Sequence, residues 1–275
     1  MRISRINDYL SYLVLAIWSV IVLFPIWTLI VNSLKPQKGI FADPFGLPKT
    51  FSLEGYTRVL AHSNFPVYFA NTMIVVTISL GLILLFGSLA AYAIASWDSW
   101  ITTVLYVFFI AGLMIPIRIA TIDLVRIMIN LKLQDTIWSL IPVYVAMGMP
   151  IATFILTTFI RQIPKDIFEA ARIDGATRFG IYLHIVVPLV RPALATVAIF
   201  NMVKIWNDFW FPLVFIRAEK SRTVALGVSL LFGQYRTDWT TALSTLSLAA
   251  IPILILYVFL SKEFIKGLTA GAVKG

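Results

Sequence analysis

Few residues of this sequence have the types and spacing to do chemistry, and most of those stand where charge is costly. Lys204, Asn207 and Asp208 lie in Met-Val-Lys-Ile-Trp-Asn-Asp-Phe-Trp-Phe-Pro, inside an apolar run. A continuous helix puts Lys204 and Asp208 at i and i+4, on one face. Each charge near a bilayer centre costs about 2.5–3.5 kcal/mol on the insertion scale. The face therefore points at a water-filled path, or the two residues form an ion pair that joins helices. Asn71 and Thr72 open another apolar run and suit helix packing or a path. Arg118 and Arg126 flank Asp123 in a mixed stretch. Two cations at a mouth concentrate an anionic ligand. The plainer expectation is that Arg118 pairs with Asp123, Arg126 faces lipid headgroups and Asp208 neutralises Lys204.

Catalytic patterns are missing. No Gly-x-x-x-x-Gly-Lys-Ser/Thr occurs, so no P-loop cradles nucleotide phosphates. There is no His-Glu-x-x-His and no nucleophile elbow. His62 and His184 fall in different extramembrane regions and are expected at the surface, not as a metal pair. The absence of Cys excludes a disulfide framework and thiolate catalysis. The sequence reads as a non-enzyme with no metal and no cofactor of its own.

The elements that carry these residues follow from composition. The chain has 275 residues, 60% hydrophobic and 13% charged, against about a quarter charged in a soluble domain. Several apolar runs exceed the roughly 18–20 residues that span hydrocarbon. The expectation is an all-α polytopic membrane protein, one transmembrane domain over 1–275. Six spans are expected: Tyr9–Leu34, Tyr68–Ser96, Ile101–Ile117, Ile137–Ile160, Ala193–Ile216 and Thr240–Leu260. Lys35–Pro66 is polar and rich in Pro and Gly, hence a loop. Trp97–Trp100 is a tight turn, Arg118–Asp135 an amphipathic outer segment, Arg217–Asp238 a charged loop and Ser261–Gly275 a tail. The net charge of +9 suits loops at an anionic leaflet. No basic face on a soluble domain is visible, so nucleic acid is not expected as a partner. With both termini inside, ten Lys and Arg fall inside and eleven outside, so the positive-inside rule does not orient the chain.

Between the fourth and fifth spans lies a charged island, 161–192. Pro164 suits a helix start and Asp166 and Glu169 its first turns. Ala170, Ala171 and Asp174 make a small-residue stripe, and Gly175 is a natural stop. A second short helix is expected from Thr177 until Pro188 interrupts it. The island is either a docking element or a loop lying on headgroups.

Glu169-Ala170-Ala171, then Gly175, Ile185 and Pro188, resembles the EAA loop of importer-type ABC transporter permeases. Val187 stands where that pattern usually has Leu. The longer run Glu169-Ala-Ala-Arg-Ile-Asp-Gly-Ala-Thr is similar to that of the carbohydrate importers, among them the maltose-type subunit with a short first periplasmic loop. The similarity runs from Asn71-Thr72 to Gly275 and is weakest between Arg118 and Arg126. It implies the type I ABC importer fold. It implies that Glu169, Ala170, Ala171, Asp174 and Gly175 couple to an ATPase, and that Gly267, Leu268, Thr269, Gly271 and Lys274 reach it through the tail. It implies that the fifth span, with Lys204, Asn207 and Asp208, borders the translocation path; from their polarity and charge Asn71, Arg118 and Arg126 are further candidates along it. The implied partners are a second permease subunit, two ATPase subunits that hold ATP and Mg, a solute-binding protein and the lipid bilayer. The implied location is a bacterial-type inner membrane, both termini cytoplasmic. The implied cargo is a sugar; the charges of Arg118, Arg126 and Lys204 raise the alternative of an anionic sugar derivative or a glycerol phosphate-like solute. An ion-coupled secondary transporter is the remoter alternative; it needs an inverted repeat, and none is visible.

Overall fold

The computed structural model describes residues 2–231 and 238–272, with side chains for 9–229 and 238–262. Every regular element among the described residues is a helix. Contacts divide the chain into two compact units, Met1–Pro66 with Gly227–Ile251, and Val67–Leu226 with Pro252–Gly275.

In the first unit, α1 (Arg2–Ser33) is apolar from Tyr9 onward and long enough to cross a bilayer. The following loop holds two short helices, α2 (Gln37–Ala42) and α3 (Glu54–His62). The chain leaving α1 folds around Lys35, which is only 2% exposed. Its ammonium donates to Asn32 Oδ1 at 3.0 Å and to the Asp43 carbonyl at 2.7 Å. A buried cation is tolerated only when its donors are met in this way. Asp238 caps the helix that starts at Trp239, accepting from the Thr240 and Thr241 amides and, at 2.6 Å, from the Thr241 hydroxyl. Arg58 joins Asp238 at 2.6 Å and also contacts Glu54. Burial pushes the Asp238 carboxyl up, but the Thr241 bonds and Arg58 outweigh it and hold it below the usual range.

The second unit contains α4 (Phe65–Ser96) from Val67 on, α5 (Trp100–Met114), α6 (Thr121–Asn130), α7 (Leu140–Ile160) and α8 (Lys165–Ile173). Then come α9 (Arg178–Ile181), a π turn at Tyr182–Val186, α10 (Val187–Leu189), α11 (Arg191–Trp206) and α12 (Trp210–Phe215). Helix α13 (Val224–Leu231) starts in this unit and continues into the first, and the long α14 (Trp239–Ala272) belongs to the first up to Ile251 and to the second from Pro252. The core of the unit runs along α4, α7 and α11 through Val75, Ile83, Leu140, Leu156 and Val197, with Phe211 and Phe215 of α12. Gly148 lets these helices close up: a Cβ there would lie 2.4 Å from Ile83 Cδ1 and 2.6 Å from Asn201 Oδ1.

Among the described residues four helices are long and apolar enough to cross a membrane, and up to six spans result if two bent pairs each count as one. Three expected boundaries shift. The third span stops at Met114, because Ile115 before Pro116 is extended, and the chain turns 84° into Ile117–Asn130. Pro188 does not interrupt the second island helix; the π turn before it absorbs the missing N–H and the ring. The break falls instead at Val190, where Arg178–Leu189 and Arg191–Trp206 meet at 75°. The fifth span is not continuous, ending at Trp206 and resuming at Trp210. A straight helix would drive the ring of Pro212 into the carbonyl of Asp208.

Side chains from distant segments clasp the strap at 216–224. Asp135, at φ 64°, accepts from the Arg217 and Ala218 amides at 2.6 Å each. Those two bonds, Ala218 first, hold its carboxyl below the usual range. The Asn71 amide donates to the Lys220 and Arg222 carbonyls at 2.8 and 2.9 Å, and Thr72 Oγ1 accepts from the Val224 amide at 2.9 Å.

Candidate functional site

Two places in the second unit gather the residues singled out above. The first is the island. Pro164 directly precedes α8, and Asp166 lies in its first turn. The helix ends in a Schellman turn: the Gly175 amide bonds to the Arg172 carbonyl at 3.1 Å and the Ala176 amide to the Ala171 carbonyl at 2.9 Å. Gly175 sits at φ +80°, a conformation that strains any residue with a Cβ. Ala171 is buried and Phe168 packs on the core, so α8 is seated on the bundle. Glu169, Ala170, Asp174 and Gly175 are exposed. Ala170 and Ala171 thus do not share one free face: the first is presented outward and the second anchors. Beneath α8 is a cavity of about 300 Å³ lined by Ser96, Ile160, Arg161, Lys165, Glu169 and Arg172.

The sequence reading missed the apolar part of this surface. Ile173 is 85% exposed, more than any other large apolar side chain among the described residues, and Phe179 is 64% exposed. The signal was available: an isoleucine between Arg172 and Asp174 has no place in a solvated face.

The second place is a cavity of about 520 Å³ beside the break between α11 and α12, lined by Tyr144, Asn201, Lys204, Asn207, Asp208 and Arg118 among others. Tyr144 and Ile160 are sixteen residues apart on α7, about 24 Å at the helical rise. The cavity and the island are therefore at opposite ends of that helix. Tyr144 is buried and donates its hydroxyl to Asp208 Oδ2 at 2.8 Å; the Phe211 amide donates to the same oxygen at 3.2 Å. Lys204 lies in the last turn of α11 and Asp208 beyond its end, so the expected i, i+4 ion pair does not form. Lys204 makes no hydrogen bond or ion pair with a described residue. Arg118 lies over the Trp210 ring at 5.7 Å, and Trp210 Nε1 donates to Thr121 Oγ1 at 3.1 Å. Asp123 pairs with Arg126 at 3.5 Å and not with Arg118, which stands outside α6. Lys204, Asn207, Asp208 and Arg118 thus come together, while Arg126 and Asn71 lie elsewhere. Tyr144, Asn201 and Trp210 were missed; Asn201, a polar residue deep in an apolar run, was the legible one.

His62 and His184 are both exposed, and no group of three His, Asp or Glu able to hold a metal occurs among the described residues. Composition predicts a frayed tail, yet α14 continues through Ala272, carrying the backbone of Gly267, Leu268, Thr269 and Gly271. The helix formers Lys262, Glu263, Lys266, Leu268 and Ala270 offset the two glycines. The side chains of that stretch, and Lys274 entirely, lie outside the described residues.

Comparisons with known proteins agree with this architecture. The chain is 37% identical over 265 residues, 96% of each chain, to an ORF2 product of Caldicellulosiruptor sp. (strain Rt8B.4) assigned as an ABC transporter permease. It is 33% identical, over 91% of each chain, to the melibiose/raffinose/stachyose import permease protein MelC of Bacillus subtilis (strain 168). It is 32% identical to the arabinooligosaccharides transport system permease protein AraQ of Halalkalibacterium halodurans, covering 100% of this chain and 99% of the relative. Its backbone matches one chain of the crystal structure of a bacterial ABC transporter involved in import of the acidic polysaccharide alginate. The TM-score is 0.82 at 22% identity, over 96% of this chain and 98% of that one. Residues 83–268 match the family model described as "Binding-protein-dependent transport system inner membrane component". With its bent spans, its island and a family match over two thirds of its length, the chain belongs to the inner membrane components of binding-protein-dependent transport systems.

Proposed function

We propose that this chain is one transmembrane subunit of an ATP-driven importer that receives a sugar from a solute-binding protein. The relatives named for arabinooligosaccharides and for melibiose, raffinose and stachyose support the sugar class. The observation that carries the coupling role is the seating of α8. Phe168 and Ala171 fix the helix to the bundle, while Glu169, Ile173, Asp174 and the Gly175 turn face outward. A push on α8 is then passed to α7 and α11 as a rigid displacement.

In this reading the residues of 1–275 act as one permease domain in the inner membrane. The 161–192 loop, both termini and the tail are cytoplasmic. The partners are a second, related permease subunit, two ATPase subunits carrying ATP and Mg, and the binding protein. ATPase dimerisation moves α8 and switches the spans between inward- and outward-facing states. Selectivity is the difference in ligand affinity between those states.

The test is a reconstituted complex with Glu169→Lys or Gly175→Pro. Binding-protein docking is expected to persist while substrate-stimulated ATP hydrolysis is lost. Normal stimulated hydrolysis in a folded Gly175→Pro complex would remove the coupling assignment.

A further inference from the structure

We infer that the cavity beside the α11–α12 break is a direct substrate subsite, and that it takes the carboxylate or phosphate of an anionic sugar derivative between Lys204 and Arg118. The inference rests on the importer reading and adds the substrate class to it. At about 520 Å³ the cavity is of ligand size. Discontinuous helices at membrane depth are tolerated where they line a cavity, because the freed carbonyls and amides need partners. Here the break places the carbonyl end of α11 beside Lys204, where it favours the ammonium and not a bound anion, so the case for an anion rests on the side-chain charges.

The charges decide what the cavity prefers. Lys204, Arg118 and Asp208 are its three charged lining groups. Asp208 is already engaged by the Tyr144 hydroxyl and the Phe211 amide on one oxygen, and forms no ion pair with either cation among the described residues. Arg118 is held in place by the Trp210 ring, and Trp210 by Thr121. The guanidinium makes no hydrogen bond with a described residue. One stacked guanidinium and one ammonium without a partner among the described residues, both exposed, thus line a space whose one carboxylate is bonded through a single oxygen, leaving cations in excess. An oxyanion would meet a guanidinium fork and an ammonium point charge. The competing occupant is a carboxylate supplied by the second permease subunit, and it predicts a different outcome.

The complete transporter, with both permeases, the ATPases and its binding protein, is the object of the test. Thermal shift of the binding protein against neutral disaccharides, the matching uronic acids and the matching sugar phosphates selects the probe. The dissociation constant of the radiolabelled probe is then measured on the vanadate-arrested complex, at low and high salt, for wild type, K204M, K204R and R118Q. The expected result is an acidic probe whose binding weakens roughly tenfold or more in K204M and in R118Q. K204R should recover most of the loss, and high salt should narrow the differences. An unchanged constant in an assembled K204M complex overturns the inference, and so does failure of the wild type to retain the probe. If K204M instead loses subunit association and the residual complexes bind the probe normally, Lys204 is a subunit contact and the inference falls. Selection and import of a neutral sugar alone overturns the inference and leaves the importer reading standing. A binding protein that takes no glycan of either class brings down both.

Discussion

At the scale of single residues, the clasp at Asp135 makes a pH-dependent prediction. Its folded pKa is depressed by the Ala218 and Arg217 amides. A depressed carboxyl contributes stability above its unfolded pKa, about 4, and that contribution is lost as pH falls through the lower folded value. Protection factors of the Arg217 and Ala218 amides should therefore be flat from about pH 5 to 8 and drop only below about pH 4. Asp135→Ala should remove the protection at all pH values and Asp135→Asn should keep part of it, since an amide oxygen still accepts. Tyr144→Phe tests a second contact. It leaves the Asp208 carboxylate one donor short in a half-buried site, costing about 1–3 kcal/mol. The apparent melting temperature of the purified complex should fall accordingly, and Asp208→Asn in the same background should recover part of the loss by removing the stranded charge.

At the scale of elements, Gly148 sets how closely α4, α7 and α11 approach. Gly148→Ala places a methyl against Ile83 and Asn201 and should cost about 1–3 kcal/mol. Ile83→Val removes the nearer atom, so the double variant should lose less than the sum of the two, read from melting of the complex. The spans were legible in the sequence because length and apolarity alone identify them; Tyr68–Ser96 and Ile137–Ile160 stand within three residues of the observed Phe65–Ser96 and Ile137–Ile160. The break at Val190 was not read, because Pro188 acts through a π turn that keeps the helix going. The discontinuity before Pro212 falls near Asp208, four residues back, and not at the proline itself. The partner of Asp123 was hidden for a related reason. Arg118 and Arg126 are near it in sequence, but only Arg126 shares its helix, at i+3. The island was legible in its turn chemistry, Pro164 and Gly175, and illegible in its division of labour. Which of two adjacent alanines faces the core depends on the helix's rotation on the bundle, a tertiary choice.

At the scale of the whole molecule, the proposed machine joins an island at one end of α7 to a cavity toward the other. The tail belongs to this scale too. Deleting 271–275 should lower uptake in proteoliposomes and leave the melting temperature of the complex unchanged; full uptake after deletion would make the segment dispensable. The strap at 216–224 has a longer consequence. Asp135 and Asn71 hold it by its amides and carbonyls, and Thr72 fixes the amide that follows. These hydrogen bonds reach only the backbone of Arg217 and Lys220, whose side chains bear on the grip only through a lesser charge attraction to Asp135. Mutation can therefore rewrite the charge of this surface while its path through space is inherited unchanged, and a lineage of such proteins can acquire new docking partners without first rebuilding the scaffold that presents them.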